Sequence, residues 1–110
     1  MADAGSSLTT AGGTATLRLV GEVGRAEAEH LQPLLPSAMP AEVDSLVVDL
    51  SGCTYLDPAG VDLVGEVMGA AVDRRAAIAV RGASTNVAII LGIAGLLDLA
   101  AADGPGDNTS

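Results

Sequence analysis

The sequence predicts an α/β fold in which a mixed sheet of four to five strands carries an N-terminal hairpin and about three flanking helices. Three observations carry this prediction. A Gly-containing connection of hairpin length, residues 11–13, joins two runs rich in Thr, Leu and Val. A short β-branched run at residues 46–48 is typical of a buried strand, and residues 58–74 show helical spacing of apolar side chains.

Length and composition favour one self-sufficient domain. The chain has 110 residues, of which 49% are hydrophobic, and this is enough for a modest single core. No internal repeat and no linker divides it. We expect a flexible tail at residues 1–7, a folded domain at residues 8–102 and a second flexible tail at residues 103–110.

Charge and aromatic content exclude several classes of ligand. Fourteen acidic and five basic residues give a net charge of −9, which repels nucleic acid backbones and anionic lipid headgroups. Phe and Trp are absent and Tyr55 is the one aromatic residue, so no platform exists for stacking bases or sugars. Basic or apolar protein surfaces are the expected partners.

The single cysteine and the N-terminal sequence indicate a cytoplasmic location. Cys53 allows neither an internal disulfide nor a multi-cysteine metal site, and a structural thiol is the simpler interpretation. The first ten residues contain neither the basic segment nor the apolar segment that is typical of a signal peptide. The longest uncharged apolar stretch, residues 83–97, falls short of the roughly 20 residues that a membrane helix needs. We therefore expect no membrane insertion.

The first third of the chain predicts the hairpin and one helix. Strands are expected at residues 8–10 and 14–20, with Gly21 and Glu22 ending the second. Helical spacing begins at Arg25 and leaves His30 at a solvent-exposed position. Because Pro33 removes a helix hydrogen bond, the helix should end near Gln32 and continue as a kinked turn or loop to residue 40.

The centre of the chain predicts a strand followed by the clearest helix. Residues 46–50 should form a strand that is buried on both faces, and residues 51–56 a connection. Asp57 can cap a helix that starts at Pro58 and ends near Arg74. The apolar stripe expected to pack on the sheet contains Val61, Val64, Met68, Ala71 and Val72.

The last third predicts a strand, a helix and a final strand. Residues 77–80 form the strand, Gly82 turns the chain, and Ser84 or Thr85 caps a helix that continues to about residue 94. Gly95 ends this helix. Residues 97–101 are predicted to add the last strand.

The last predicted helix is apolar all round, because no charge occurs between residues 83 and 97. Its sheet-facing side should contain Val87, Ile90, Leu91 and Ala94. A single sheet covers only one side of a helix, so Ile89 and Ile93 should form an exposed patch for self-association, as in a homodimer, or for partner docking. The alternative is that residues 33–40 or a chain terminus fold over them.

Four short motifs follow one another along the chain: LVGEV at residues 19–23, VDLS at 48–51, DPAGV at 57–61 and GL at 95–96. In this order they resemble the STAS domain of bacterial anti-sigma factor antagonists, over about residues 8–101. DPAGV is similar to that family's D-S/T-S/T-G-hydrophobic motif at a helix start. The resemblance implies a STAS-like fold.

The resemblance also implies a non-catalytic, protein-binding function in transcription regulation, without cofactor or metal. In the family, a serine kinase that is also an anti-sigma factor phosphorylates the second hydroxyl residue of the motif, and the unphosphorylated form binds that kinase to release sigma. Here Pro58 and Ala59 replace the two hydroxyl residues, so no phosphoester can form at the family site. The partner-binding residues implied by the resemblance are Asp57, Pro58, Ala59, Gly60, Val61 and Asp62.

Other interpretations remain open at this stage. Ser51 and Thr54 favour turn hydrogen bonding, with substitute phosphorylation as the alternative, and Asp49 lacks the companions of a phosphoacceptor or metal ligand. Ser51, Cys53, His30 and Asp57 show no spacing of a catalytic triad. Two further functions stay open. The first is a STAS scaffold or accessory subunit of a stressosome-like assembly or lipid ABC transporter, and the second is a module that binds a small anion or nucleotide at the Pro58 helix start.

Overall fold

A four-stranded mixed sheet forms the centre of the computed structural model, which describes residues 5–103. The strands are β1 (Ser7–Ala11), β2 (Thr14–Val23), β3 (Ser45–Leu56) and β4 (Ala77–Arg81). They lie in the order β1-β2-β3-β4; the first pair is antiparallel and the other two pairs are parallel. The predicted hairpin and mixed sheet are confirmed. Of the two expected tails, residues 1–4 and 104–110 lie outside the described residues.

Five α-helices of four to sixteen residues accompany the sheet in the described part of the chain. The helices are α1 (Arg25–Leu31), α2 (Leu35–Ala38), α3 (Pro58–Asp73), α4 (Thr85–Ile93) and α5 (Leu97–Asp103), with a 3-10 turn at Gln32–Leu34 between α1 and α2. The predicted break at Pro33 is confirmed, although the following segment is helical in part rather than a loop. No helix within residues 5–103 combines the length and the apolar character that crossing a membrane requires.

The core lies on one face of the sheet. Leu17 pairs with Val48 across β2 and β3, and Leu46 pairs with Ile78 across β3 and β4, and all four side chains are buried. The alternate residue Asp49 lies beside Arg18 and Arg81 on the opposite face, where both arginines are exposed. The prediction that β3 is buried on both faces is therefore wrong, because the helices cover only one face.

Strands β2 and β3 both extend further than predicted. β2 continues through Gly21 to Val23, and β3 continues through the predicted connection to Leu56. Their parallel pairing persists with two register shifts, and it ends at Val23 opposite Leu56. The sequence-based boundaries were wrong because each extension is stabilised by the other strand, and a local pattern does not contain that pairing.

The predicted final strand at residues 97–101 is wrong, because this segment is helix α5. Its sequence, LDLAAAD, consists largely of Leu and Ala, which favour helix, and it has no β-branched residue. Gly95, with φ 79°, ends α4 as predicted and redirects the chain into this helix. The sheet therefore has four strands rather than five.

The long helix α3 has the predicted bounds but a slightly rotated buried face. Val64, Met68 and Ala71 are buried as expected, whereas Val72 is 48% exposed. Leu63 and Val67, which the predicted stripe left out, are buried instead. In α4, Val87 and Leu91 are buried, and the predicted packing residue Ala94 is exposed.

Candidate functional site

Helices α1 and α3 begin at the same corner of the molecule. The parallel strands β2 and β3 end side by side at Val23 and Leu56, and the backbone N–H of Asp57 donates to the carbonyl of Val23 at 3.0 Å. The sequence therefore correctly placed a helix start at the carboxyl end of a central strand. In open α/β sheets this edge is where ligands and partners bind.

The cap of α3 is formed as the sequence predicts. Asp57 Oδ1 accepts a hydrogen bond from the backbone N–H of Gly60 at 3.0 Å, and Pro58 occupies the first helical position. Gly60 is needed for a second reason, because a Cβ atom at this position would lie 2.5 Å from the carbonyl oxygen of Val23. The glycine of the DPAGV motif thus lets α3 start in close contact with β2.

One side of the α3 start faces α1 across a cleft of about 210 Å³, the polar cleft. Ala59 lines it and is half-buried. Gln32 of the 3-10 turn donates from Nε2 to Glu66 Oε1 at 2.8 Å and connects the two walls. The charged residues of the lining are Arg25, Glu29, Asp62 and Glu66.

The other side of the α3 start faces α4 across a larger apolar groove of about 480 Å³. Asp62 borders both the cleft and the groove. The apolar groove is lined by Tyr55, Leu56, Pro58, Val61, Asp62, Asn86, Ile90, Ile93 and Ala94. Sequence reasoning missed this groove as a unit. The sequence feature that indicated this groove was the lack of charged residues in helix α4.

The structure separates the two isoleucines that the sequence grouped as one patch. Both are exposed as predicted, Ile89 by 55% and Ile93 by 84%. Ile93 lines the apolar groove and Ile89 does not. Tyr55, which is 46% exposed, joins Ile93 in the same groove from strand β3. The exposed apolar surface is therefore built by β3, α3 and α4 together rather than by one helix.

The remaining candidate residues lie elsewhere. The hydroxyl and the backbone N–H of Ser51 both donate to Asp49 Oδ1, and these bonds hold the pKa of the Asp49 carboxyl below its usual value. Cys53 is buried, and desolvation raises the pKa of its thiol, which disfavours the reactive thiolate. His30 is exposed on α1, as predicted, and Thr54 is exposed on β3.

Hydrogen bonds do not bring these candidate side chains together in the described part of the chain. Within the described part of the chain, no hydrogen bond connects Ser51, Cys53, His30 and Asp57 with one another. The acceptor of the Ser51 hydroxyl is Asp49, and the Cys53 thiol donates to the Tyr55 carbonyl at 3.6 Å. Among residues 5–103, no three His, Cys, Asp or Glu side chains are grouped closely enough to hold a metal ion.

Comparison with known proteins identifies the architecture. A family model described as "Mlab, STAS domain" matches residues 6–101. The structure is similar to the anti-sigma factor antagonist SpoIIAA in its unphosphorylated form, with 18% identity, a TM-score of 0.68, and coverage of 81% of this chain and 83% of that one. It is also similar to the Bacillus cell fate determinant SpoIIAA in its phosphorylated form, with 18% identity, a TM-score of 0.70, and coverage of 86% and 87%.

A third similar structure belongs to a much longer chain. Mglu shares 18% identity and a TM-score of 0.58, and the match covers 71% of this chain but only 19% of Mglu. A search of curated proteins finds no match to the sequence. At these identities the structural matches establish the fold that surrounds the polar cleft and the apolar groove.

Proposed function

The chain belongs to the STAS domain family, and we propose that it is a non-catalytic, cytoplasmic module that resembles an anti-sigma factor antagonist. In this role it binds a serine-kinase anti-sigma factor through residues 57–62 and so regulates how much sigma factor is free. The observation that carries the proposal is the position of the DPAGV motif at the start of α3. Pro58 and Asp62 are exposed there, so a partner can reach this surface.

The proposed module lacks the usual switch at residue 59. A phosphate adds a charge of about −1.5 to −2, which changes a docking surface strongly. Ala59 has no hydroxyl to accept it. The polar cleft around Ala59 contains three carboxylates, Glu29, Asp62 and Glu66, against the single guanidinium of Arg25. This excess of negative charge argues against the small-anion or nucleotide alternative.

A second candidate function is an accessory subunit of a larger assembly, such as a lipid ABC transporter or a stressosome-like scaffold. The specific observation in its favour is again Ala59, because a structural subunit needs no phosphorylation at the α3 start. Both candidates use the same surface. They differ in the partner that occupies it.

Affinity purification from the native cell, followed by mass spectrometry, tests the proposal. Recovery of a serine-kinase anti-sigma factor supports it, and recovery of transporter ATPase subunits supports the alternative. The purified partner is then titrated against Asp62→Arg and, as a control with the same change in charge, Asp73→Arg at the far end of α3. We expect Asp62→Arg alone to weaken binding by about thirtyfold or more, the range of an interface hot spot. Equal affinities of the two variants would show that residues 57–62 are not the docking surface.

A further inference from the structure

We propose that the apolar groove between α3 and α4 receives a basic amphipathic helix of the partner protein, anchored by a large apolar side chain. This inference rests on the proposed function, because Pro58, Val61 and Asp62 belong to both the docking segment and the groove. Beyond the proposed function, it specifies the chemistry of the partner segment, which is basic, amphipathic and helical. It also gives Tyr55, Ile90 and Ile93 a role that the family motif does not assign.

The groove has the composition of a protein-docking surface. Seven of its nine lining residues are apolar or aromatic, and Asp62 and Asn86 are the two polar ones. Ile93 is 84% exposed, which is a large apolar area to leave in water. Exposed contiguous apolar surface bordered by polar residues is typical of sites where another protein binds.

The length of the α4 wall of the groove fits a short helix as its occupant. Asn86, Ile90 and Ala94 line it at intervals of four residues, and Ile93 adds the i+3 neighbour of Ile90. This stripe runs over nine residues, from Asn86 to the C-cap residue Ala94, and its eight rises of 1.5 Å give a length of roughly 12 Å. An amphipathic helix laid in such a groove presents anchors at i, i+3 or i+4, and i+7. About two turns of the partner helix would match the stripe.

The chain's own termini are poor occupants. Residues 104–110 read GPGDNTS and offer no apolar side chain larger than proline. At the other end, Gly5 lies against the side chain of Val20. Val20 follows the buried Leu19 on β2, so its side chain and the adjoining Gly5 lie on the open face of the sheet, opposite the helices.

Charge decides between a second copy of the chain and a different protein. Two copies that closed groove on groove would bring the Asp62 carboxylates of both chains to one interface and join two molecules of net charge −9. Glu66 lies about one turn after Asp62 on α3 and adds to the repulsion. A helix that carries Lys or Arg beside its apolar anchor reverses the sign of this interaction. The occupant is therefore a basic partner helix.

A displayed library of helix-stabilised peptides, selected on the whole protein, tests this inference. We expect it to enrich peptides with apolar residues at i and i+3 or i+4, flanked by Lys or Arg. The enriched peptide is synthesised and titrated by fluorescence anisotropy. Ile93→Gln should weaken its binding by about tenfold or more, as for a buried anchor. Val72→Gln, which removes a 48% exposed apolar side chain at the far end of α3, should leave the affinity within about twofold.

Three results would overturn the inference. The selection could enrich acidic or uncharged peptides, or none. The two variants could weaken binding equally. Sedimentation could show a wild-type dimer that Ile93→Gln dissociates, which would assign the groove to a second copy. Circular dichroism of Ile93→Gln confirms that the fold is kept.

If Asp62→Arg weakens binding of the native partner and Ile93→Gln does not, the docking surface is correct and the groove is not part of it. If neither does, the proposed function fails.

Discussion

The polar cleft and the apolar groove share helix α3, yet they differ in almost every physical property. The cleft has four charged residues in its lining and is bridged by the hydrogen bond from Gln32 to Glu66. The groove has about twice the volume, one charged residue, and two exposed large side chains, Tyr55 and Ile93. Ala59 lies in the cleft, and Pro58 and Val61 lie in the groove.

Under the proposed function, regulation by phosphorylation and partner binding belong to two different cavities. Under the proposed function, residue 59 is the position that we match to the family phosphoacceptor, and it belongs to the charged cleft, whereas the apolar surface proposed to supply binding energy belongs to the groove. An alanine rather than a hydroxyl residue at position 59 therefore affects the cleft and not the groove. In our account this chain binds its partner protein, but phosphorylation at residue 59 cannot regulate that binding.

The largest effect is expected from Gly60→Ala, which should disrupt the start of helix α3, where the polar cleft and the apolar groove adjoin. The added Cβ would meet the carbonyl of Val23 at 2.5 Å, and backbone cannot move aside cheaply. We expect the free energy of unfolding to fall by about 3 kcal/mol, the upper end for overpacking. Urea denaturation measures this change. Gly69→Ala is the matched control on α3: its Cβ would meet nothing within 4 Å, so the helix should gain about 0.5 to 1 kcal/mol. A Gly60→Ala protein as stable as wild type would contradict the described packing.

A smaller effect is expected from Asp57→Ala, which removes the cap of α3. The N–H of Gly60 then loses its acceptor, and the free energy of unfolding should fall by about 1 kcal/mol. Asp57→Asn keeps a capping oxygen and should stay close to wild type. Hydrogen exchange should quicken in the first turn of α3 in the Ala variant alone. Equal loss in both variants would mean that the charge of Asp57, rather than its hydrogen bond, stabilises the corner.

The smallest effect is expected on the open face of the sheet, away from both cavities. Hydrogen bonds from the Ser51 hydroxyl, and then from its N–H, lower the pKa of Asp49 in the folded protein below the ordinary 3.8. Because the folded-state pKa is depressed, the stabilisation is present above the unfolded-state pKa and is lost as the pH falls through the folded-state pKa. The difference in urea midpoint between wild type and Asp49→Asn should therefore be constant near neutral pH and shrink below about pH 4. A difference that grows at low pH would show the opposite sign of shift.

Local signals explain which parts of the site could be predicted from the sequence. The bounds of α3 and its cap follow from Asp57, Pro58 and helical spacing, all of which lie within one segment. The Gly95 helix end was predicted for the same reason. The motif order, through its resemblance to the STAS family, predicted the fold that the family match and the similar structures confirm.

Features that depend on tertiary contact could not be predicted in this way. The second half of β3 looks like a connection until it is paired with β2, and the buried face of α3 is set by the helix's rotation on the sheet. The groove brings together Tyr55, Val61 and Ile93 from three different elements. No pattern within one segment contains that arrangement.

The most direct test of the central claim is calorimetric titration of the serine-kinase anti-sigma factor with the wild-type protein, with and without ATP. Our account predicts binding that ATP leaves unchanged, because Ala59 accepts no phosphate. The double variant Pro58→Ser/Ala59→Ser introduces both hydroxyls, and in it we expect the kinase to transfer the γ-phosphoryl group of ATP to the hydroxyl at residue 59, releasing ADP and weakening binding. A stoichiometric phosphoryl group on Ser51 or Thr54 of the wild-type protein that controls binding would contradict the claim. So would a double variant that the kinase neither binds nor modifies.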